Sequence, residues 1–218
     1  MATSSHTTLT VAEALVVIAI CFGLPILTSV DALFNTYPDA PLTDAGAIGL
    51  IVVEAILSGG ALLFLKARGF ALGTLIPRPT LRDSLVAALV VLSAWLIGFI
   101  VTGPLPAQPT QAVDATLAAS SVSMVVMVAL ICINSAFEEV FLLGILMRGL
   151  RGLGLSVAIG VPLLVRVLYS LYQGPVNVVW VLVFGLCFSL AYARKQALWT
   201  PVLAHFLWDI STLATALP

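Results

Sequence analysis

Long apolar stretches separated by short polar connections make up most of the chain. They fall at about 9–30, 46–67, 84–103, 119–147, 153–173, 176–193 and 198–216. Each is near the roughly 20 residues a helix needs to cross hydrocarbon. The pattern therefore predicts an all-α, polytopic integral membrane protein of seven to eight transmembrane helices. The fourth stretch is the longest and is expected to tilt, break or project beyond the bilayer; a split there would supply the eighth helix. No internal repeat or low-complexity tract interrupts the series, so 1–218 reads as a single transmembrane domain.

The connections sort by charge. The 31–45 connection carries Asp31, Asp39 and Asp44 and no base, whereas 66–83 carries Lys66, Arg68, Arg78 and Arg82 against Asp83 alone. The 104–118 connection has only Asp114, and Arg148 and Arg151 follow the fourth stretch. The 173–176 connection is uncharged, and Arg194 and Lys195 follow the sixth stretch. Basic connections lie on the cytoplasmic side of a membrane. The alternation thus predicts a protein of the cell (cytoplasmic) membrane with its N-terminus inside and its C-terminus outside. The first stretch is long and has no Lys or Arg before it, which favours a membrane helix over a cleaved leader. The mixed apolar and basic segment 69–85 reads either as an amphipathic piece lying in the interface or as a solvated loop. The proline-rich 104–110 segment reads as an extended outer loop.

Composition sharpens this picture. Hydrophobic residues make up 61% of the chain and charged residues 9%, against about 25% charged in soluble domains. An ordinary soluble enzyme, a nucleic-acid binder and a disordered chain are excluded, and the lipid bilayer is the first partner. Cys21, Cys132 and Cys187 stand in apolar runs without metal-binding or redox spacing and read as small apolar fillers.

Six charged residues fall inside the apolar stretches: Glu13, Glu54, Glu138, Glu139, Arg166 and Asp209, with His205 beside them. A charge at mid-bilayer costs at least about 2.5–3.5 kcal/mol, so such residues face the protein interior, pair with each other and mark function. Two adjacent carboxylates in low dielectric do not both ionise without a cation nearby. Glu138 and Glu139 are thus expected to include a proton donor or acceptor, or else to form a polar clamp between helices. Neighbours on a helix point about 100° apart, so the two need not share a partner. Asn134 and Ser135 stand one turn before them. His205 and Asp209, at i and i+4, have the spacing of metal ligands and equally of an imidazole oriented by a carboxylate. Arg166, Tyr169, Ser170 and Gln173 form one polar face of the fifth stretch, where Arg166 is placed to neutralise a glutamate or Asp209 or to make a structural ion pair. Glu13 and Glu54 read as polar contacts between helices.

The order of these residues resembles the CPBP family, the CAAX-protease and bacteriocin-processing (Abi) intramembrane proteases. The likeness rests on Glu138-Glu139, on Arg166, Tyr169, Tyr172, Gln173 and Gly174 in an R-x-x-Y-x-x-Y-Q-G stretch, and on His205-x-x-x-Asp209, all within the motif-bearing core 119–216. The resemblance implies a helical membrane core around a polar cavity open toward the cytoplasmic side. It also implies an endopeptidase in which Glu138, Glu139, His205 and Asp209 are catalytic. Water activated by a glutamate cleaves a membrane-associated, hydrophobic or lipidated peptide or protein, and Asn134, Arg166, Tyr169, Ser170 and Gln173 line the cavity. Members have been described both as metalloendopeptidases and as glutamate-type proteases. The chain departs from the family pattern twice: Leu143 stands where the first-motif arginine belongs, with Arg148 further along, and Ser170 stands where similar members have histidine. A metal at this site has Glu138, Glu139, His205 and Asp209 to choose from, and three ligands plus water suffice for zinc. Two other classes stay open: a catalytically silent protein of the same fold that binds a membrane protein partner, as a scaffold or immunity protein, and a small transporter or channel.

Overall fold

A computed structural model describes residues 6–35, 41–104 and 120–216, and these are helical with short connections. Seven long helices follow the seven apolar stretches closely: α1 (Val11–Asp31), α2 (Asp44–Ala67), α3 (Leu81–Thr102), α4 (Met124–Glu139), α5 (Leu155–Ser170), α6 (Pro175–Lys195) and α7 (Trp199–Ala216). The first six, with α4 extended to Met147 and α5 to Gln173, are long and apolar enough to cross a membrane. The protein is therefore an integral membrane protein. α7 has the length but is diluted by Thr200, His205, Asp209, Ser211 and Thr212. The proposed outer loop lies almost entirely outside the described residues.

Local chemistry sets the helix starts. The side chains of Thr10, Thr43 and Thr80 each accept a hydrogen bond from the backbone N–H three residues on, satisfying a donor that has no partner within the helix. Glu13 answers Thr10 in return, accepting from its backbone N–H at 2.9 Å, and takes the Arg68 guanidinium at 2.7 Å. Glu13 is thus a contact between the start of α1 and the end of α2, as expected of it. Gly174, at φ 93°, ends the 3₁₀ turn Leu171–Gln173 and hands the chain to Pro175 at the first position of α6, a left-handed junction suited to glycine.

The fourth stretch is not split. From Val140 to Met147 its helix widens to π geometry, a rare form found mostly as short bulges at functional sites. Every residue from Phe141 to Met147 is buried, and all seven are apolar or glycine. A helix apolar all round belongs in the middle of a bundle.

α1 packs on α2 and α5, α2 on α4, α4 on α7, α7 on α6, and α6 on α5, which closes a ring; α3 lies behind α6 and α7. Within the ring α4 meets α5 through the π segment. The outward faces carry exposed Leu24, Leu27, Ile56, Leu63, Leu89, Leu96 and Ile100, a surface suited to hydrocarbon rather than water.

Segment 69–85 is not a free loop, and its last residues are the start of α3. It folds over one end of the bundle and buries Phe70 and Leu75. The Leu75 side chain reaches the π segment beside Gly144, and Ala71 N–H donates to the His6 carbonyl at 2.8 Å.

One glycine holds the aromatic packing together. A Cβ on Gly98 of α3 would stand 1.8 Å from the Trp180 ring, so that ring, which packs on Trp95 and Phe99 of the same helix with ring centroids 5.2 and 5.3 Å away, would have to shift. Gly98→Ala is expected to destabilise the protein by about 1–3 kcal/mol, the range for overpacking a core, read as a lowered melting temperature in detergent. Gly59→Ala, at a position where a Cβ meets nothing within 4 Å, is the control and should leave the melting temperature unchanged or raise it.

Candidate active site

The ring encloses a cavity of about 690 Å³. Its wall takes residues from all seven helices, among them Phe22 and Pro25 of α1, Glu54 of α2, Trp95 of α3, Asn134 and Glu138 of α4, and Asp209 of α7. Tyr169, Ser170, Gln173, Trp180 and His205 also line it. The wall is mainly apolar, and Glu138 and His205 stand at its end toward the π segment.

The centre of that polar end is a fork. Arg166 Nη1 donates to Glu138 Oε2 at 3.0 Å, and Nη2 donates to Glu139 Oε1 at 2.7 Å. The adjacent glutamates therefore do share a partner, and the cation that two carboxylates need is present. Arg166 is 2% exposed and stands behind the carboxylates, outside the cavity lining, with its guanidinium 5.1 Å from the Phe184 ring centre. A glycine makes room for it: a Cβ on Gly185 would come within 3.0 Å of Arg166 Cδ.

Each glutamate has a second partner. Tyr169 donates its hydroxyl to Glu138 Oε2 and is itself stacked on Phe22, with centroids 5.5 Å apart. His205 Nδ1 lies 2.7 Å from Glu139 Oε1; against a carboxylate that nitrogen carries a proton. His205 Nε2 is 3.6 Å from Asp209 Oδ2, one turn along α7, beyond hydrogen-bond length. Glu139 is fully buried and its Oε2 has no hydrogen-bond partner among the described residues. Glu138 reaches the cavity wall.

Glu138, Glu139, Arg166, Tyr169, His205 and Asp209 thus come together from three helices, with Asn134, Ser170 and Gln173 on the same wall. Glu54 joins them: its Oε1 accepts from Asn134 Nδ2 at 2.9 Å. It is the contact between helices expected of it and also part of the cavity. The aromatic wall of Trp95, Trp180, Phe184 and Trp208 had no signal in the sequence, because its members come from three helices, with Trp95 of α3 far in the chain from the others on α6 and α7. Arg148 does not reach the glutamates; it hydrogen-bonds the carbonyls of Thr74 and Gln196. Leu143 is buried in the π segment, so the cation on the acid pair comes from α5.

Glu138, Glu139 and His205 each present a ligand atom within 4.8 Å of the others, close enough to suggest a metal. Their bonding argues otherwise. The guanidinium already fills the space between the carboxylates, and His205 Nδ1 is engaged by the same Glu139 oxygen as Arg166. A zinc ion here would have to stand against Arg166, so the arrangement does not fit a metal held by these three.

Residues 119–211 match the family described as Type II CAAX prenyl endopeptidase Rce1-like. This segment, which holds every residue of the fork, is similar to that family. No curated protein and no solved structure matches the chain.

Removing one partner of a buried pair strands the other charge, at a cost of about 3–5 kcal/mol. Arg166→Ala strands two carboxylates and is expected to lower stability by at least that much. Arg166→Lys, which cannot fork, should fall between Arg166→Ala and the wild type. Thermal unfolding in detergent reads both.

Proposed function

We propose that the protein is an intramembrane endopeptidase that cleaves a membrane-associated, hydrophobic peptide with water activated by Glu138. The observation that carries this reading is the asymmetry of the acid pair. Glu139 is enclosed and doubly bonded, whereas Glu138 reaches the cavity with one oxygen held and the other left for a water.

In this reading Glu138 takes a proton from the water as its oxygen bonds to the peptide carbonyl carbon. His205 acts in this reading as the doubly protonated imidazolium, held by Glu139 through Nδ1–H, and donates Nε2–H to the carbonyl oxygen as negative charge develops there. The C–N bond then breaks, and Glu138 returns its proton to the leaving amine. Arg166 and Tyr169 keep the Glu138 carboxylate in place, and Asp209 supports the imidazole from the side away from Glu139. A site walled by apolar and aromatic residues excludes bulk water, which strengthens each of these interactions. The orientation proposed is the one the connections indicate, with the basic end in the cytoplasm.

A second reading is favoured by Ser170. A serine hydroxyl cannot take a proton near neutral pH, so a chain without the second-motif histidine fits a silent binding protein of the same fold.

Purified protein is expected to cleave an apolar fluorogenic peptide in detergent. Glu138→Gln should lower kcat by about 10²–10⁴, the contribution of a positioned base, while metal chelators leave the rate unchanged. Cleavage that survives Glu138→Gln contradicts the assignment. Turnover that appears only in Ser170→His supports the silent-protein reading.

A further inference from the structure

We infer that Asn134, held by Glu54, is a clamp for the peptide backbone: its Oδ1 accepts a hydrogen bond from a substrate N–H near the scissile bond. The inference deepens the endopeptidase reading above and rests on it for the place of that bond.

The proposed reaction leaves one polar pair of the cavity without a use. Glu54 of α2 and Asn134 of α4 both stand on the cavity wall, among apolar neighbours. α2 adds Leu50, Val53 and Leu57 to the lining, and α4 adds Met127, Leu130 and Ile131 ahead of Asn134. Among the described residues that α4 gives to the wall, Asn134 is the one polar side chain before Glu138. A carboxyl in the middle of a membrane span is costly, and a contact between helices does not by itself require one.

The geometry of the pair shows what the carboxyl does. Asn134 Nδ2 donates to Glu54 Oε1 at 2.9 Å. Glu54 Oε2 is enclosed by protein and has no hydrogen-bond partner among the described residues. With Oε1 taken by the amide, Glu54 works through Asn134. The bond turns the nitrogen end of the amide toward α2 and leaves Oδ1 on the other side. That oxygen has no hydrogen-bond partner among the described residues, and unlike Glu54 Oε2 it is not enclosed. The second Nδ2 hydrogen is free for a carbonyl.

A peptide inside an apolar cavity loses the water on its backbone, and each N–H left unbonded there costs free energy. An amide fixed in one orientation meets that need whatever side chains the peptide carries. Asn134 stands one turn before Glu138 on α4, about 6 Å at 1.5 Å per residue. An extended peptide advances about 3.3 Å per residue. The N–H at Asn134 therefore belongs to a residue about two positions from the carbonyl that the Glu138 water attacks. The clamp thereby sets which peptide bond lies at Glu138, and Glu54 is its positioning residue.

A backbone scan tests this. An apolar fluorescent peptide is made with its amides replaced one at a time by esters, which removes each N–H and leaves the side chains in place. Binding is read by fluorescence anisotropy in detergent on Glu138→Gln protein, so that the peptide stays intact. The expected result is a Kd raised about five-fold or more, the size of one net hydrogen bond, by the ester at a single position. That penalty should vanish when Asn134→Leu is added. Glu54→Leu should shrink it, and Glu54→Gln, whose carbonyl still accepts from the amide, should retain it. A penalty equally large in Asn134→Leu, or no penalty at any position, overturns the inference. Cleavage of the parent peptide by the wild type is measured alongside. Cleavage without an Asn134-dependent penalty overturns the clamp and leaves the endopeptidase reading intact. An Asn134-dependent penalty in a protein that never cleaves upholds the clamp and strikes only the endopeptidase reading.

Discussion

The guanidinium of Arg166 between Glu138 and Glu139 is the interaction on which the rest of the site depends. Two carboxylates one residue apart, in a half-buried pocket within hydrocarbon thickness, are tolerable only with a cation against them. The cation must come from another helix, and it must fork. Arginine does this with a planar donor pair that lysine lacks. The consequences spread outward: α5 has to pack where its Arg166 meets the acids, Gly185 has to leave room on α6, and His205 on α7 has to take the remaining side of Glu139. Three helices are thereby registered against one another by charge rather than by apolar packing, which in a membrane has no solvent to drive it.

The π segment gives this cluster its place. Because Phe141–Met147 fills the axis of the bundle just below Glu139, the bundle is closed at one end and hollow at the other, and the acids form the floor of the hollow. The unequal surroundings of two adjacent, identical side chains follow from this. Glu139 turns into protein and becomes a support for His205 and Arg166. Glu138 turns to the cavity, which in the proposed reaction leaves one of its oxygens for a water. The environment, not the residue type, separates their roles.

Much of this was legible in the sequence. The spans follow from hydrocarbon thickness, which demands a fixed length of apolar helix, so their limits agree with the structure to within a few residues. The polar cluster was legible for the complementary reason: charges in apolar runs are so costly that each one is conspicuous, and Glu138, Glu139, Arg166, His205 and Asp209 were singled out that way. What was not legible depends on three-dimensional packing. A π turn in an all-apolar run has no pattern of its own. That both glutamates share Arg166 runs against their 100° separation and needs the neighbouring helix to be seen. Segment 69–85 carries bases and so looked destined for water or lipid headgroups, yet Phe70 and Leu75 anchor it to the bundle end. The aromatic wall brings Trp95 of α3 against residues of α6 and α7, far from it in the chain.

In the proposed reaction the fork-held Glu138 activates water for peptide-bond cleavage. The most direct measurement is cleavage of an apolar peptide by the purified protein in oxygen-18 water, with the products analysed by mass spectrometry. The account predicts one heavy oxygen in the newly formed carboxylate from the first turnover. A product that leaves the protein without the heavy isotope, or an intact peptide after prolonged incubation, would contradict it.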